Sequence, residues 1–153
     1  MDKESDLWET PQWLFEELNT EFHFDIDICA NVTNCKVDYW FTDYLATSSS
    51  ENPFADHWDT AFMNPPYSNP LPFIKKAYED SVYCKIVALI KADTSTKTWG
   101  VFWDYITNKP KPGCGVRFLP KRLKFERGGI PSKNCANFPS AIIIMDRRGI
   151  DEF

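Results

Sequence analysis

The strongest constraint on the fold is the uninterrupted apolar run from Ile86 to Ile90. Such a run is typical of a central parallel strand whose two faces are both covered, because neither face alternates with polar residues. The segment therefore predicts a buried strand with neighbouring strands on each side.

Further strands and helices are predicted around this run. The predicted strands are Phe24 to Cys29, Thr60 to Met63, Gly115 to Leu119 and Ala141 to Met145. The first predicted helix has Thr10 as its N-cap and Pro11 as its first residue, and it ends near Glu21. Two more helices are predicted, from Pro72 to Tyr83 and from Thr98 to Ile106. Residues Ala46 to Asp56 are rich in Ser and Asn and are predicted to form a loop. Strands that alternate with helices favour an open α/β sheet.

Three polar side chains stand at or just after predicted strand ends: Asp27, Asn64 and Asp93. In open α/β sheets ligands bind beyond the carboxyl ends of the strands, so one crevice is expected to hold all three. Two simpler interpretations stay open: Asp27 as a solvated carboxylate at a strand end, and Thr10 as a helix cap and nothing more.

The segment Asn64-Pro65-Pro66-Tyr67 suits the binding of a flat ring that carries an amino group. The amino nitrogen of adenine is a poor nucleophile because its lone pair is delocalised, and two acceptors on its hydrogens would localise that pair. The Asn64 side-chain oxygen and the Pro65 carbonyl are predicted as these acceptors, since consecutive prolines fix φ and remove backbone donors. Tyr67 is predicted to stack on an extruded base. The alternative is a proline-stiffened turn after a strand.

Length and composition predict one domain over residues 1–153, with no separate target-recognition domain, because 153 residues with 43% apolar content suit a single core. The loops Ala46 to Asp56 and Lys109 to Lys133 would then supply sequence specificity. No apolar stretch approaches a membrane span, and the polar residues 1–6 lack a signal-peptide pattern, so a cytoplasmic protein without membrane contact is expected.

The cysteines and histidines argue against a metal site. Five cysteines form no Cys-x-x-Cys pair, and only two histidines are present. These features are atypical of a disulfide framework or a zinc ribbon, so no metal is predicted and the cysteines are interpreted as packing residues.

Charge is segregated along the chain. Residues 1–60 carry fourteen acidic residues against Lys3 and Lys36, whereas residues 109–133, here called the basic segment, carry eight basic residues against Glu126 alone. The basic segment is thus a candidate nucleic-acid surface, with Phe118 and Phe125 interleaved. A solvated hairpin with ordinary surface lysines is the alternative.

A set of motifs in a fixed order resembles the phage-type Dam family, adenine-N6 DNA methyltransferases that use S-adenosylmethionine. The motifs, which span nearly the whole chain from Trp8 to Met145, are Trp8-Glu9-Thr10-Pro11, Leu14-Phe15 with Leu18 and Glu21-Phe22, Asp25 to Ala30, Asn64-Pro65-Pro66-Tyr67, Arg122-Leu123-Lys124-Phe125 and Phe138-Pro139-Ser140-Ala141. The resemblance implies a Rossmann-like class I methyltransferase fold, with a mostly parallel sheet and a C-terminal antiparallel strand pair. It also implies direct in-line methyl transfer to a flipped adenine in DNA, most simply double-stranded, in a bacterial host cell.

The resemblance also implies roles for individual residues. Thr10 and Pro11 would border the cofactor, and Asp27 with Ala30 would line its amino-acid or ribose moiety, although Asp27-Ile28-Cys29-Ala30 lacks the glycines of most methyltransferases. The implied base-holding residues are Asn64, Pro65 and Tyr67, with Pro66 shaping the turn. The candidates for DNA contact are Lys121, Arg122, Lys124 and Arg127.

The tetrapeptide by itself does not distinguish adenine from other planar nitrogens. An RNA base, the N4 amine of cytosine and a glutamine side-chain amide of a protein present the same chemistry. A catalytically silent DNA-binding module of the same fold is the alternative from another functional class.

Overall fold

A five-stranded sheet organises the part of the chain that the structure, a computed structural model, describes: residues 4–31, 33–47 and 58–150. The helices are α1 (Gln12–Phe22), α2 (Leu71–Asp80) and α3 (Trp99–Phe102), with short 3-10 turns at Glu4–Leu7 and Tyr44–Ala46. The strands are β1 (Ile26–Asp27), β2 (Thr60–Met63), β3 (Lys85–Lys91), β4 (Trp103–Asp104), β5 (Lys109–Pro110), β6 (Cys114–Phe118), β7 (Glu126–Arg127), β8 (Ile130–Pro131) and β9 (Ser140–Met145).

The large sheet has the strand order β1-β2-β3-β9-β6. Strands β1, β2 and β3 are parallel, and β9 runs antiparallel to both β3 and β6, so four strands share one direction. The predicted mostly parallel sheet with an antiparallel pair near the C-terminus is confirmed. The remaining strands form two hairpins, β4 with β5 and β7 with β8.

Strand β3 is central and buried on both faces, as its sequence predicts. Ile86, Ala88 and Ile90 pack into a cluster that includes Ile74 of α2 and Trp99 of α3. The alternate residues Val87 and Leu89 pack into a second cluster on the opposite face, together with α1. Helices therefore cover both faces of the sheet, and the ends of its strands remain available to form a binding site.

Several predicted boundaries are wrong. Helix α1 begins one residue later than predicted, with the extended Pro11 at the N-cap position and no side-chain cap from it or from Thr10. The helix predicted over 98–106 ends at Phe102, because Trp103 is extended and pairs with the β5 strand. The strand predicted over 24–29 is regular only at Ile26–Asp27.

Other predicted boundaries differ less or are confirmed. The helix predicted over 72–83 is Leu71–Asp80, and the strand Thr60–Met63 has the predicted bounds. Of the loop predicted over 46–56, residues 48–56 lie outside the described residues. Across the described ranges, no helix is both long and apolar enough to cross a membrane.

Candidate active site

The Asn64-Pro65-Pro66-Tyr67 segment starts at the carboxyl end of β2, where Met63 is the last strand residue. Asp27 ends the neighbouring parallel strand and pairs in register with Phe62. Asp27 and Asn64 consequently lie at the same sheet edge and line one small polar cavity of about 50 Å³, here called the polar cavity. The sequence prediction that these two strand ends meet is confirmed.

Asn64 carries an unused acceptor. Its side-chain Nδ2 donates a hydrogen bond to the Trp8 carbonyl at 3.4 Å, which orients the amide. Its Oδ1 is buried and has no hydrogen-bond partner among the described residues. Buried polar atoms are nearly always paired, so an unpaired amide oxygen in a cavity wall is an acceptor for a ligand donor.

Asp27 is buried, with 3% of its surface exposed, so its interpretation as a solvated strand-end carboxylate is wrong. The carboxylate accepts hydrogen bonds from the backbone N–H groups of Cys29 at 3.4 Å and Lys36 at 3.1 Å. Burial raises the pKa of Asp27 to about 6, although these two hydrogen bonds oppose the shift. Asp27 therefore fixes the loop after β1 and also presents a titratable oxygen to the polar cavity.

The other predicted cofactor residues divide into two groups. Thr10 is buried and lines the polar cavity beside Asn64. Pro11 and Ala30 are buried, but neither lines the polar cavity. Ala30 instead donates its N–H to the Phe41 carbonyl at 3.1 Å, which holds the segment after β1 in place.

A larger outer cavity of about 450 Å³ adjoins the polar cavity, and Glu9, Asn34 and Lys36 line both. Its far side is formed by the turn Gly128-Gly129, which connects β7 to β8 with φ values of 61° and 77°. Two positive φ values in a two-residue connection are the geometry of a type I′ hairpin, which glycine adopts without strain. The Gly129 N–H donates to the Glu9 carboxylate at 3.1 Å, so the hairpin is attached to the cavity wall.

Asp93 does not join Asp27 and Asn64 in one crevice, contrary to the sequence prediction. It lines a separate cavity of about 230 Å³, here called the Tyr67 cavity, together with Pro65, Tyr67 and Thr96. The Asn-Pro-Pro-Tyr segment thus contributes Asn64 to the polar cavity and Pro65 and Tyr67 to the other. Two sites border this short segment.

Tyr67 belongs to an aromatic cluster. Its ring centroid lies 5.3 Å from Phe125, 5.4 Å from Phe138 and 6.3 Å from Trp8, and Trp8 stacks on Phe125 at 5.4 Å. The Tyr67 hydroxyl is buried and has no partner in the described part of the chain, and burial raises the pKa of this phenol well above its ordinary value. The ring is therefore held by packing, and its hydroxyl makes no contact that positions it.

Two residues of the N-terminal segment have site contacts that sequence reasoning missed. The Asp6 carboxylate accepts hydrogen bonds from the N–H and the hydroxyl of Ser68, directly after Tyr67. Trp8 orients Asn64 through its carbonyl and contacts Tyr67 through its ring. Only the Trp8-Glu9-Thr10-Pro11 motif pointed to this segment, and the motif does not indicate which atoms act.

The basic segment presents its cations outward. Lys121, Arg122, Lys124 and Arg127 are exposed, whereas Leu123, Phe125 and Glu126 are buried. Among the described residues, Lys121, Arg122 and Lys124 have no hydrogen-bond or ion-pair partner. The single acidic residue of the basic segment thus faces inward, and the outer surface is purely cationic between residues 121 and 124.

Arg117 differs from these cations. Its guanidinium forms a two-pronged ion pair with Glu21, at 2.7 and 2.6 Å, and its carbon centre lies 5.5 Å from the Phe22 ring centroid. This pairing holds β6 to α1, so Arg117 is a structural cation of the basic segment.

These features describe an α/β domain with a buried, unpartnered amide oxygen beside a polar cavity. A model of the DNA N-6-adenine-methyltransferase (Dam) family matches residues 1–152, so the chain belongs to that family. The predicted family resemblance is confirmed.

A curated relative extends the comparison. The chain is 39% identical over 100 residues to the DNA N-6-adenine-methyltransferase of Haemophilus phage HP1 (strain HP1c1), which covers 61% of this chain and 54% of the phage protein. The chain therefore spans about half the length of this relative. No solved structure matches the chain.

Proposed function

We propose that this chain transfers a methyl group from S-adenosylmethionine to the N6 amino group of a flipped adenine in DNA. The observation that carries the proposal is the buried, unpartnered Asn64 Oδ1 at the end of β2. Membership of the Dam family and the name of the phage HP1 relative support the same reaction.

The residues of the polar and outer cavities fit S-adenosylmethionine. Carboxylates of Asp6, Glu9 and Asp27 and the ammonium of Lys36 line the polar cavity, which suits a ligand with two cationic centres and one carboxylate. The polar cavity alone is too small, but it shares a wall with the outer cavity, and together they reach the size of ordinary ligand sites. When bound, this cofactor supplies the electrophilic methyl group.

The chain contributes orientation and hydrogen-bond acceptors. Asn64 Oδ1 accepts one hydrogen of the adenine amino group, and the Pro65 carbonyl accepts the other, which returns lone-pair density to the nitrogen. Tyr67 and Pro65 hold the base in the Tyr67 cavity, with Pro66 fixing the turn. Holding reactants in attack geometry removes several kcal/mol from a barrier, so no covalent enzyme intermediate is required.

The fold and the DNA surface are part of the same proposal. We assign the chain to the Rossmann-like class I methyltransferases, as one domain whose loops read the DNA. The antiparallel β9 beside the parallel strands supports this assignment.

Lys121, Arg122, Lys124 and Arg127 contact the phosphates of duplex DNA. The reaction takes place in the cytoplasm of a bacterial host, which the phage relative supports.

The test is to incubate the protein with labelled S-adenosylmethionine and unmethylated duplex DNA, digest the DNA and identify the modified nucleoside. Asn64→Ala is run in parallel, with the exposed Asn69→Ala as the matched control from the same loop. N6-methyladenine is expected from wild type and the Asn69 variant only. Cofactor binding without any methylated DNA base would overturn the DNA assignment, and RNA and protein amides would be tested as substrates next. Loss of cofactor binding as well would favour a catalytically silent DNA-binding module.

A further inference from the structure

An apolar groove is formed in part by the basic segment, and no residue of the Asn-Pro-Pro-Tyr segment lines it. It has a volume of about 340 Å³, and its walls are Trp13 from α1 and residues 119–124. Trp13 is 53% exposed, and the buried Leu123 adds apolar surface. We call this site the Trp13 groove.

The charged residues that line the Trp13 groove have one sign. Among the described residues its lining includes Lys121, Arg122 and Lys124 and no acidic side chain. The nearby Glu126 is buried and directed to the backbone N–H of Gln12, so it does not neutralise these cations. An apolar slot bordered by three unpaired cations complements a ligand with a flat apolar body and an anionic backbone, which is the chemistry of a nucleotide.

We propose that the Trp13 groove binds an unstacked nucleobase of the DNA substrate, other than the target adenine, by stacking on the Trp13 indole. Lys121, Arg122 and Lys124 hold the adjoining phosphates. This inference rests on the proposed DNA substrate and adds a base-contacting residue outside the catalytic segment. A peptide partner is disfavoured because no carboxylate is among the described residues that line the groove, where it would bind the donors or cations of a peptide.

The groove is joined to the catalytic side by packing. Leu123 lines the Trp13 groove, and Phe125, two residues further, contacts the Tyr67 ring at 5.3 Å. One short stretch of chain therefore lines the Trp13 groove and packs against the Tyr67 ring, which lines the Tyr67 cavity. A strand with a base in each site has to be locally unstacked, so a single strand or a duplex with unpaired bases binds more tightly than a fully paired duplex.

The experiment uses the full chain and a short fluorescein-labelled single-stranded deoxyoligonucleotide, with binding followed by anisotropy. Trp13→Ala is expected to weaken binding about tenfold, because it removes the aromatic surface on which the base stacks. Trp13→Phe is expected to retain most of the affinity. The matched control is Tyr39→Ala, since Tyr39 is similarly exposed, at 61%, but does not line the Trp13 groove.

Salt dependence separates stacking from charge. Trp13→Ala is expected to lower affinity by the same factor at each salt concentration, because stacking releases no counterions. Unchanged single-strand affinity of Trp13→Ala, or an equal loss in Tyr39→Ala, would overturn the inference. A change in the sedimentation of Trp13→Ala without DNA would also overturn it, because the groove would then bind a second copy of the chain.

The two proposals fail in different ways. Methylation by wild type with Trp13-independent binding would overturn the groove assignment and leave the reaction standing. Trp13-dependent binding without any methylation would overturn the reaction and leave the groove standing.

Discussion

The Glu126 carboxylate accepts a hydrogen bond from the backbone N–H of Gln12 at 3.0 Å, across 114 positions of sequence. Gln12 is the first residue of α1, whose first turn contains no acidic residue of its own. Backbone hydrogen bonds between Glu9 and Glu126 run beside this contact. The β7–β8 hairpin therefore supplies the anionic cap of α1 and fixes the N-terminal segment that orients Asn64.

Glu126→Ala is expected to lower the free energy of unfolding by about 1–2 kcal/mol, the value of a helix cap assisted by charge. Glu17→Ala, at an exposed position of the same helix, is the matched control and should change stability little. Urea titrations of both variants check this. Equal stability of the two variants would contradict the capping role.

Asn64→Ala is expected to reduce kcat for methylation by roughly 10²-fold, because it removes one preorganised hydrogen-bonding group from the active site. The dissociation constant for S-adenosylmethionine should change far less, because the Asn64 oxygen is assigned to the adenine amino group and Asn64 is one of ten residues that line the polar cavity. Steady-state kinetics and calorimetric titration of the cofactor measure the two quantities. An equal loss in both would count against the assignment.

Tyr67→Phe is expected to keep both stability and activity, because the Tyr67 hydroxyl is buried without a partner. Tyr67→Ala should destabilise the protein by roughly 3 kcal/mol, since it opens a cavity among Trp8, Phe125 and Phe138. It should also abolish base holding. Activity in Tyr67→Phe as low as in Tyr67→Ala would assign a role to the hydroxyl.

The sequence predicted what depends on local pattern. Residues 86–90 alternate between two buried faces and residues 60–63 end at the Asn-Pro-Pro-Tyr segment, as their composition indicates. It did not predict the Glu126 cap of α1 or the hydrogen bond from Asn64 to the Trp8 carbonyl. Both contacts join segments far apart in sequence and one of the two partners is a backbone atom, so no residue pattern records them. Asp93 was misplaced because strand ends at one sheet edge can still border different cavities.

The stability of the protein should depend on pH through Asp27. Its pKa is about 6 in the folded protein against an ordinary value of 3.8, so folding favours the protonated form. This contribution is fully present below the unfolded pKa and is lost as the pH rises through about 6, a change of roughly 3 kcal/mol. Urea titrations of wild type and Asp27→Asn over this window check it, because their difference cancels the other groups. A pH-independent difference would contradict a raised pKa.

Binding of duplex DNA should depend on salt through the unpaired cations of the basic segment. Each phosphate contact contributes about 0.9 to the slope of log affinity against log salt concentration. Lys121→Ala and Arg122→Ala are each expected to lower that slope by about this amount. Arg117→Ala is the matched control from the same segment, because the Arg117 guanidinium is already paired with Glu21 and should contribute little to the slope. Anisotropy titrations with a labelled duplex over a series of salt concentrations measure the slope. If Arg117→Ala reduced the slope as much as Arg122→Ala, the basic segment would bind DNA through its overall charge rather than through residues 121–124.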